Sequence, residues 1–222
     1  MHLGLIVGIG PASTDYYYRY LINAFSKAGL ELELTMAHAD AATLLRHQAE
    51  GNVSAQLEIY TNLSRKLKAA GADVLAITSI AGHFCIQEFS NISPLPIINL
   101  IEAVNLEISK LNYKKVGIIG TRVVMESLFY GAITNAKVIA PDPDILTKVH
   151  DAYVSMATLG LVTESQRNIF LNACNVLVEQ SNVEAVMLAG TDLELAFKDC
   201  KLPFPVINCA QIHAAAIANV AM

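Results

Sequence analysis

Three segments from the first half of this 222-residue chain recur in the second, and that recurrence constrains the fold more than any single motif. Leu3-Gly4-Leu5-Ile6 matches Val116-Gly117-Ile118-Ile119, Ala72–Ser79 parallels Val183–Gly190, and Pro94–Asn99 parallels Pro203–Asn208. Counted from the first residue of each pair (3 to 116, 72 to 183, 94 to 203), the offsets are 113, 111 and 109, which agree within the variation of short loops. The chain therefore reads as two similar halves joined near Leu100–Tyr113.

Within each half, short apolar runs rich in β-branched residues alternate with helical patterns, as in βαβ units that build a parallel sheet. Strands are expected at Leu3–Val7, Glu31–Ala37, Val74–Thr78, Ile97–Asn99, Val116–Gly120, Lys137–Ile139, Ala185–Leu188 and Val206–Asn208. The fold class is thus α/β: two pseudo-symmetric three-layer α/β/α halves, each with a parallel sheet of about four strands, and a cleft between them. Pro11 with Ser13, Thr14 and Asp15 reads as a helix start whose side chains satisfy free N–H groups, and Thr163 with Glu164 reads as another, running to about Glu179. The last helix, Ala210–Val220, follows the final strand as Leu100–Ile108 follows Ile97–Asn99, so each is expected to pack on the other half. The halves are accordingly residues 1–99 plus 209–222, and residues 100–208.

Composition narrows the function classes. An apolar fraction of 54% against 16% charged residues fits buried strands and excludes a disordered chain. The apolar runs are strand-sized and interrupted, so no membrane partner is expected. With net charge −5 and 15 thinly spread Lys and Arg residues, no nucleic-acid partner is expected either. The Met1–Gly10 opening has none of the basic start, long apolar stretch or cleavage site of a signal peptide, which implies a cytoplasmic location. Cys85, Cys174, Cys200 and Cys209 show neither pairing nor ligand spacing, so free thiols and no metal site are expected. Gly8-Ile9-Gly10 lacks the third glycine and later acidic residue of a dinucleotide site.

Parallel sheets bind ligands at the carboxyl ends of their strands. Loops at such ends are Gly8–Pro11, Thr78–His83, Gly120-Thr121 and Ala189–Asp192, and two related halves would face them across one cleft. Thr78, Ser79, Thr121 and Thr191 could bind a carboxylate, and Arg46 or Gln48 could reach a second carboxyl group. Such a cleft suits deprotonation next to a carboxylate, with donors holding the enolate charge.

Five motifs in order resemble the cofactor-independent aspartate/glutamate racemase family, which also includes hydantoin racemase, maleate isomerase and arylmalonate decarboxylase. They are Gly8–Tyr18, "ADVLAITSIAGHF" ending at Phe84, "PLPIINLIEA" from Pro94, "AVMLAGTDLEL" from Ala185, and "FPVINCAQIHAAA" with Ile212-His213-Ala214. The resemblance implies an isomerase that needs no cofactor, acts on a small amino acid or carboxylate between the halves, and forms a homodimer. It also implies paired catalytic thiols, where this chain carries Ser79 and Gly190, while Ile80 and Ala81 replace the Asn and Thr that follow the first thiol. The expected catalytic set is therefore Ser79, His83, Thr191 and Asp192. Ile9, Gly10, Arg46, Gln48, Ile80, Ala81, Thr121 and Gly190 are expected to line the substrate. Competing structural readings exist for the same residues: His83 as a capping or packing residue, Asp192 as the cap of a helix starting near Leu193, Cys85 and Cys209 as buried packing residues. One or two of Tyr16, Tyr17 and Tyr18 can face the entrance. A lyase or decarboxylase-like relative and an inactive carboxylate-binding relative are the alternatives.

Overall fold

The computed structural model describes residues 1–198 and 201–222, so Cys200 lies outside the described residues. In chain order the first half holds β1 (Leu3–Val7), α1 (Pro11–Ala28), β2 (Leu34–His38), α2 (Ala41–Glu50), α3 (Val53–Ala69), β3 (Val74–Ile77), a 3-10 turn (Ala81–Cys85) and α4 (Ile86–Ile92). There follow α5 (Leu100–Leu111), β4 (Lys115–Gly120), α6 (Arg122–Glu126), β5 (Lys137–Ile139), α7 (Pro143–Leu159), α8 (Glu164–Ser181), β6 (Ala185–Ala189), α9 (Leu193–Phe197), β7 (Val206–Asn208) and α10 (Cys209–Ala221).

The strands form two parallel sheets, ordered β2-β1-β3 and β5-β4-β6-β7. β1, β3 and β6 are buried at every residue, as expected of parallel strands covered by helices on both faces. The fourth position of the first sheet, expected as Ile97–Asn99, is a single parallel bridge between Leu75 and Ile97. Asn99 follows as the cap of α5, its side chain accepting the Ile101 N–H. The second sheet keeps the matching strand β7, after which Asn208 caps α10 in the same way through Gln211 N–H. β2 starts three residues later than expected, and Glu31 and Glu33 fall outside it.

The repeat survives in the packing. A Cβ on Gly4 would come within 3.2 Å of Leu67 and Ala72, and one on Gly117 within 3.1 Å of Leu177. In both halves the glycine lets a helix, α3 or α8, close onto the sheet. On one face of the first sheet Ile6, Leu75 and Ile77 pack with Leu44, Tyr60 and Phe89; on the other, Leu3, Leu5 and Val74 pack with Tyr17, Leu21, Ala214 and Ile217. Thus α10 covers the first sheet, while Leu100, Val104 and Ile108 of α5 join the core of the second half.

Helix starts follow local chemistry with one correction. α8 opens with a reciprocal box between Thr163 and Gln166, and Glu164 is its first helical residue. α1 is capped by Gly10 without a side-chain bond; Ser13 and Thr14 instead donate their hydroxyls to the Gly10 carbonyl. Its Ser13 amide is served from the other half of the chain. Among the described residues no helix is long and apolar enough to cross a membrane.

Candidate active site between the two halves

Register brings the strand-end loops together. Ile6 pairs with Ile77 in the first sheet and Gly120 with Ala189 in the second, so the loop after β1 neighbours that after β3, and Thr121 neighbours Gly190. The loops then meet across the halves: Thr191 Oγ1 donates to the Thr78 carbonyl at 3.1 Å, and Ser13 Oγ donates to the same carbonyl at 3.1 Å.

Asp192 is the group that crosses furthest. It sits at the N-cap position of α9, as one sequence reading expected, but its side chain makes no bond to that helix's amides. Instead Oδ1 accepts the Ser13 N–H at 2.9 Å, in the first turn of α1, and Oδ2 accepts the Tyr153 hydroxyl at 3.3 Å. A helix N-terminus with free N–H groups is where a carboxylate is favoured. The carboxyl lies so close to the loop after β1 that a Cβ on Gly10 would fall 2.1 Å from Oδ2. Asp192 is only 2% exposed, and burial pushes its pKa up from 3.8 to about 6 against the lowering effect of the Ser13 and Tyr153 bonds. A carboxyl in that range exchanges protons readily near neutral pH.

His83 is arranged differently. Its Nδ1 bonds the Ser79 carbonyl at 2.6 Å and its Nε2 accepts the Leu100 N–H at 3.3 Å, which assigns a neutral ring with the proton on Nδ1. Burial lowers its pKa to about 4. The imidazole therefore ties the loop after β3 to the start of α5, with both nitrogens engaged by backbone. His213, edge-on to it at 6.1 Å between ring centres, is likewise neutral: Nε2 serves the Ile98 carbonyl and Nδ1 accepts from Tyr17. Burial, then the proximity of His83, pulls its pKa down to about 3.

The remaining expected residues divide by location. Ser79 Oγ accepts the Gly82 N–H at 3.3 Å. Ile9 and Ala81 pack in the first-half core and Ile80 in the second-half core. Gln48 donates to the Ala81 carbonyl and to Tyr130, which itself donates to the Ile80 carbonyl. Arg46 is exposed on α2, away from these contacts. Thr121 Oγ1 is, among the described residues, the buried side-chain oxygen left without a hydrogen-bond partner. Cys85 and Cys209 are buried, the first with its thiol pushed up to about 12 and the second further, so neither supplies a thiolate. No three His, Cys, Asp or Glu side chains among the described residues gather as a metal site requires.

Two crevices flank this closed centre. One of about 480 Å³ lies between α1 and α9, with Pro11, Ala12, Tyr16 and Glu194 on its walls next to the residues that hold Asp192. The other, about 260 Å³, is lined by His83, Ile101 and Tyr130. Of the three consecutive tyrosines Tyr16 lines the larger crevice, Tyr17 is buried on His213, and Tyr18 is exposed.

Residues 6–217 match the Asp/Glu/hydantoin racemase family. The chain belongs to that family. A candidate Asp/Glu racemase from Yersinia pestis is 26% identical, superposes with a TM-score of 0.83, and is matched over 99% of its length by 100% of this chain. An aspartate racemase homologue from Pyrococcus horikoshii is 23% identical with a TM-score of 0.78, covering 99% of this chain and 98% of that one. A glutamate racemase from Francisella tularensis in complex with D-glutamate shares the fold at 15% identity and a TM-score of 0.65, with coverage of 99% and 80%. Membership of the racemase family and this likeness support a racemase-like isomerase.

One residue at this candidate site carries no sequence signal of its own. Tyr153 falls in an ordinary apolar stripe of α7 with Leu146, Val149 and Met156. Ser13, Tyr17 and His213 lie in motifs read above, but the bond of the Ser13 amide to Asp192 and the Tyr17–His213 pair, 196 residues apart, come from the fold.

Proposed function

We propose that this chain is a cofactor-independent isomerase of the racemase type, acting on a small amino acid or carboxylate by proton transfer between its two halves, with Asp192 in place of a thiol. The observation that carries the reading is the Asp192 carboxyl: a second-half side chain, buried, and held by the first turn of α1 in the first half. In its ionised form it takes the proton from the carbon beside the substrate carboxylate. The C–H electron pair passes into the enediolate, a proton is delivered to the opposite face of that carbon from the Ser79 hydroxyl, and the cycle closes as solvent reprotonates Ser79 and takes the proton from Asp192. Thr121, with an uncommitted buried hydroxyl, is a donor suited to the enediolate oxygen. Substrate enters by the Tyr16–Glu194 crevice, which requires the halves to part around Asp192. We take residues 1–99 plus 209–222 as one half and 100–208 as the other, a division supported by the exchange of α5 and α10 between cores. A cytoplasmic homodimer remains part of the same proposal.

The test is incorporation of deuterium at the α-carbon of D- and L-aspartate, D- and L-glutamate and related diacids in D2O, with chirality read on the recovered substrate. Exchange with inversion supports the reading; mass loss points to a lyase. One observation favours a non-turnover relative: the Ser13 amide that would greet an incoming carboxylate already holds Asp192. Thermal stabilisation by these acids without α-exchange would select that alternative.

A further inference from the structure

Position 190 is empty of side chain for a reason visible in its surroundings. A Cβ built on Gly190 would stand 2.3 Å from Tyr153 Cε2, 2.8 Å from Cζ and 3.0 Å from the hydroxyl oxygen. No real Cβ approaches an aromatic ring that closely, and Tyr153, 4% exposed and packed in the second-half core, has little room to retreat. The ring that blocks position 190 carries the hydroxyl that bonds Asp192 Oδ2.

We propose that Tyr153 is a positioning residue of this site, its ring filling the space that a side chain at position 190 would need and its hydroxyl holding the Asp192 carboxyl. The inference deepens the proton-transfer reading and rests on it for its functional meaning. It accounts for two departures at once, since the loss of a side chain at 190 and the presence of a carboxyl partner at 153 belong to one rearrangement. The titratable side chains coupled to Asp192 are Tyr153 from α7 and Tyr17 from α1, with Glu194 two residues along and bonded to Asn208. Burial, then the charge of Asp192, keeps the Tyr153 phenol far above its usual pKa, so it donates its proton and leaves the carboxyl as the acceptor.

Two measurements on the full chain test this. In Tyr153→Phe the ring stays and the donor goes, so the Asp192 carboxyl, followed by 13C NMR, should titrate about one pH unit higher than in the parent. An unchanged midpoint overturns the proposal, because a ring that only packs would not move it. Gly190→Cys should sharply lower the urea midpoint, and adding Tyr153→Ala should recover part of that loss. Strictly additive losses would overturn the shared-space argument. Absence of α-exchange in the parent protein would sink the proton-transfer reading while leaving both of these results to stand or fall on their own.

Discussion

The loops after β3 and β6 occupy matching places in the two halves yet carry opposite kinds of polar group. In the first, His83 faces inward and spends both ring nitrogens on backbone, the Ser79 carbonyl and the Leu100 amide. In the second, Asp192 ignores its own helix and reaches the first turn of α1 in the other half. The matching loops thus differ in how their polar groups are held: both nitrogens of the His83 ring are committed to backbone, while the Asp192 carboxyl is the group whose pKa burial raises toward neutral pH. Burial acts on both, but it drives the imidazole to its neutral form and raises the carboxyl into a working range.

That contrast can be broken most forcefully at Asp192. Asp192→Asn should lower α-proton exchange by about 10²–10⁴-fold, the usual worth of a positioned acid/base group, with the fold intact by circular dichroism. His83→Ala should do the reverse. Two backbone groups lose their partner and a cavity opens, a cost of about 2–4 kcal/mol in urea unfolding, whereas exchange per folded molecule should stay within a few fold of the parent.

The pH dependence of stability sharpens the same comparison. His83 and His213 are depressed from 6.5 to about 4 and about 3, so the stability they contribute is full above pH 6.5 and drains away as pH falls through those values. Asp192 is raised, so its contribution is full below 3.8 and is lost as pH climbs through about 6. Between pH 4 and 6 the two oppose each other. Asp192→Asn removes one side of that opposition, and urea unfolding across this window should then show stability rising with pH more steeply than in the parent, by about 2–3 kcal/mol in total. The smallest effect belongs to Arg46→Ala. Exposed on α2, Arg46 should change stability by less than about 0.5 kcal/mol and leave exchange unaltered.

Much of the architecture was legible in the pattern of residues. Runs such as Leu3–Val7 and Lys137–Ile139 become strands over those very spans, and the repeat aligns Gly4 with Gly117, which the structure shows playing one role twice. Ile97–Asn99 reads as a strand from its apolar run, but in the structure it pairs through one bridge, whereas the matching Val206–Asn208 forms β7. Of the strand-end residues singled out from the sequence, Thr191 and Asp192 bond across the halves, to the Thr78 carbonyl and the Ser13 amide, whereas Ser79 Oγ bonds within its own loop. Spacing could not tell that Gln48 would be committed to Tyr130 or that Arg46 would face solvent. Tyr153 was invisible for a different reason. In a helix it looks like any core aromatic, and its meaning comes only from the empty space it fills at Gly190.

The most direct measurement is the titration of the Asp192 carboxyl in the parent protein, followed by 13C NMR with Asp192→Asn to assign the resonance. A midpoint near 6 is the result expected of a carboxyl buried between the halves and poised for proton transfer. A midpoint at the ordinary value near 3.8 would contradict it, since the group would then be solvated and the two loops would not enclose a common site.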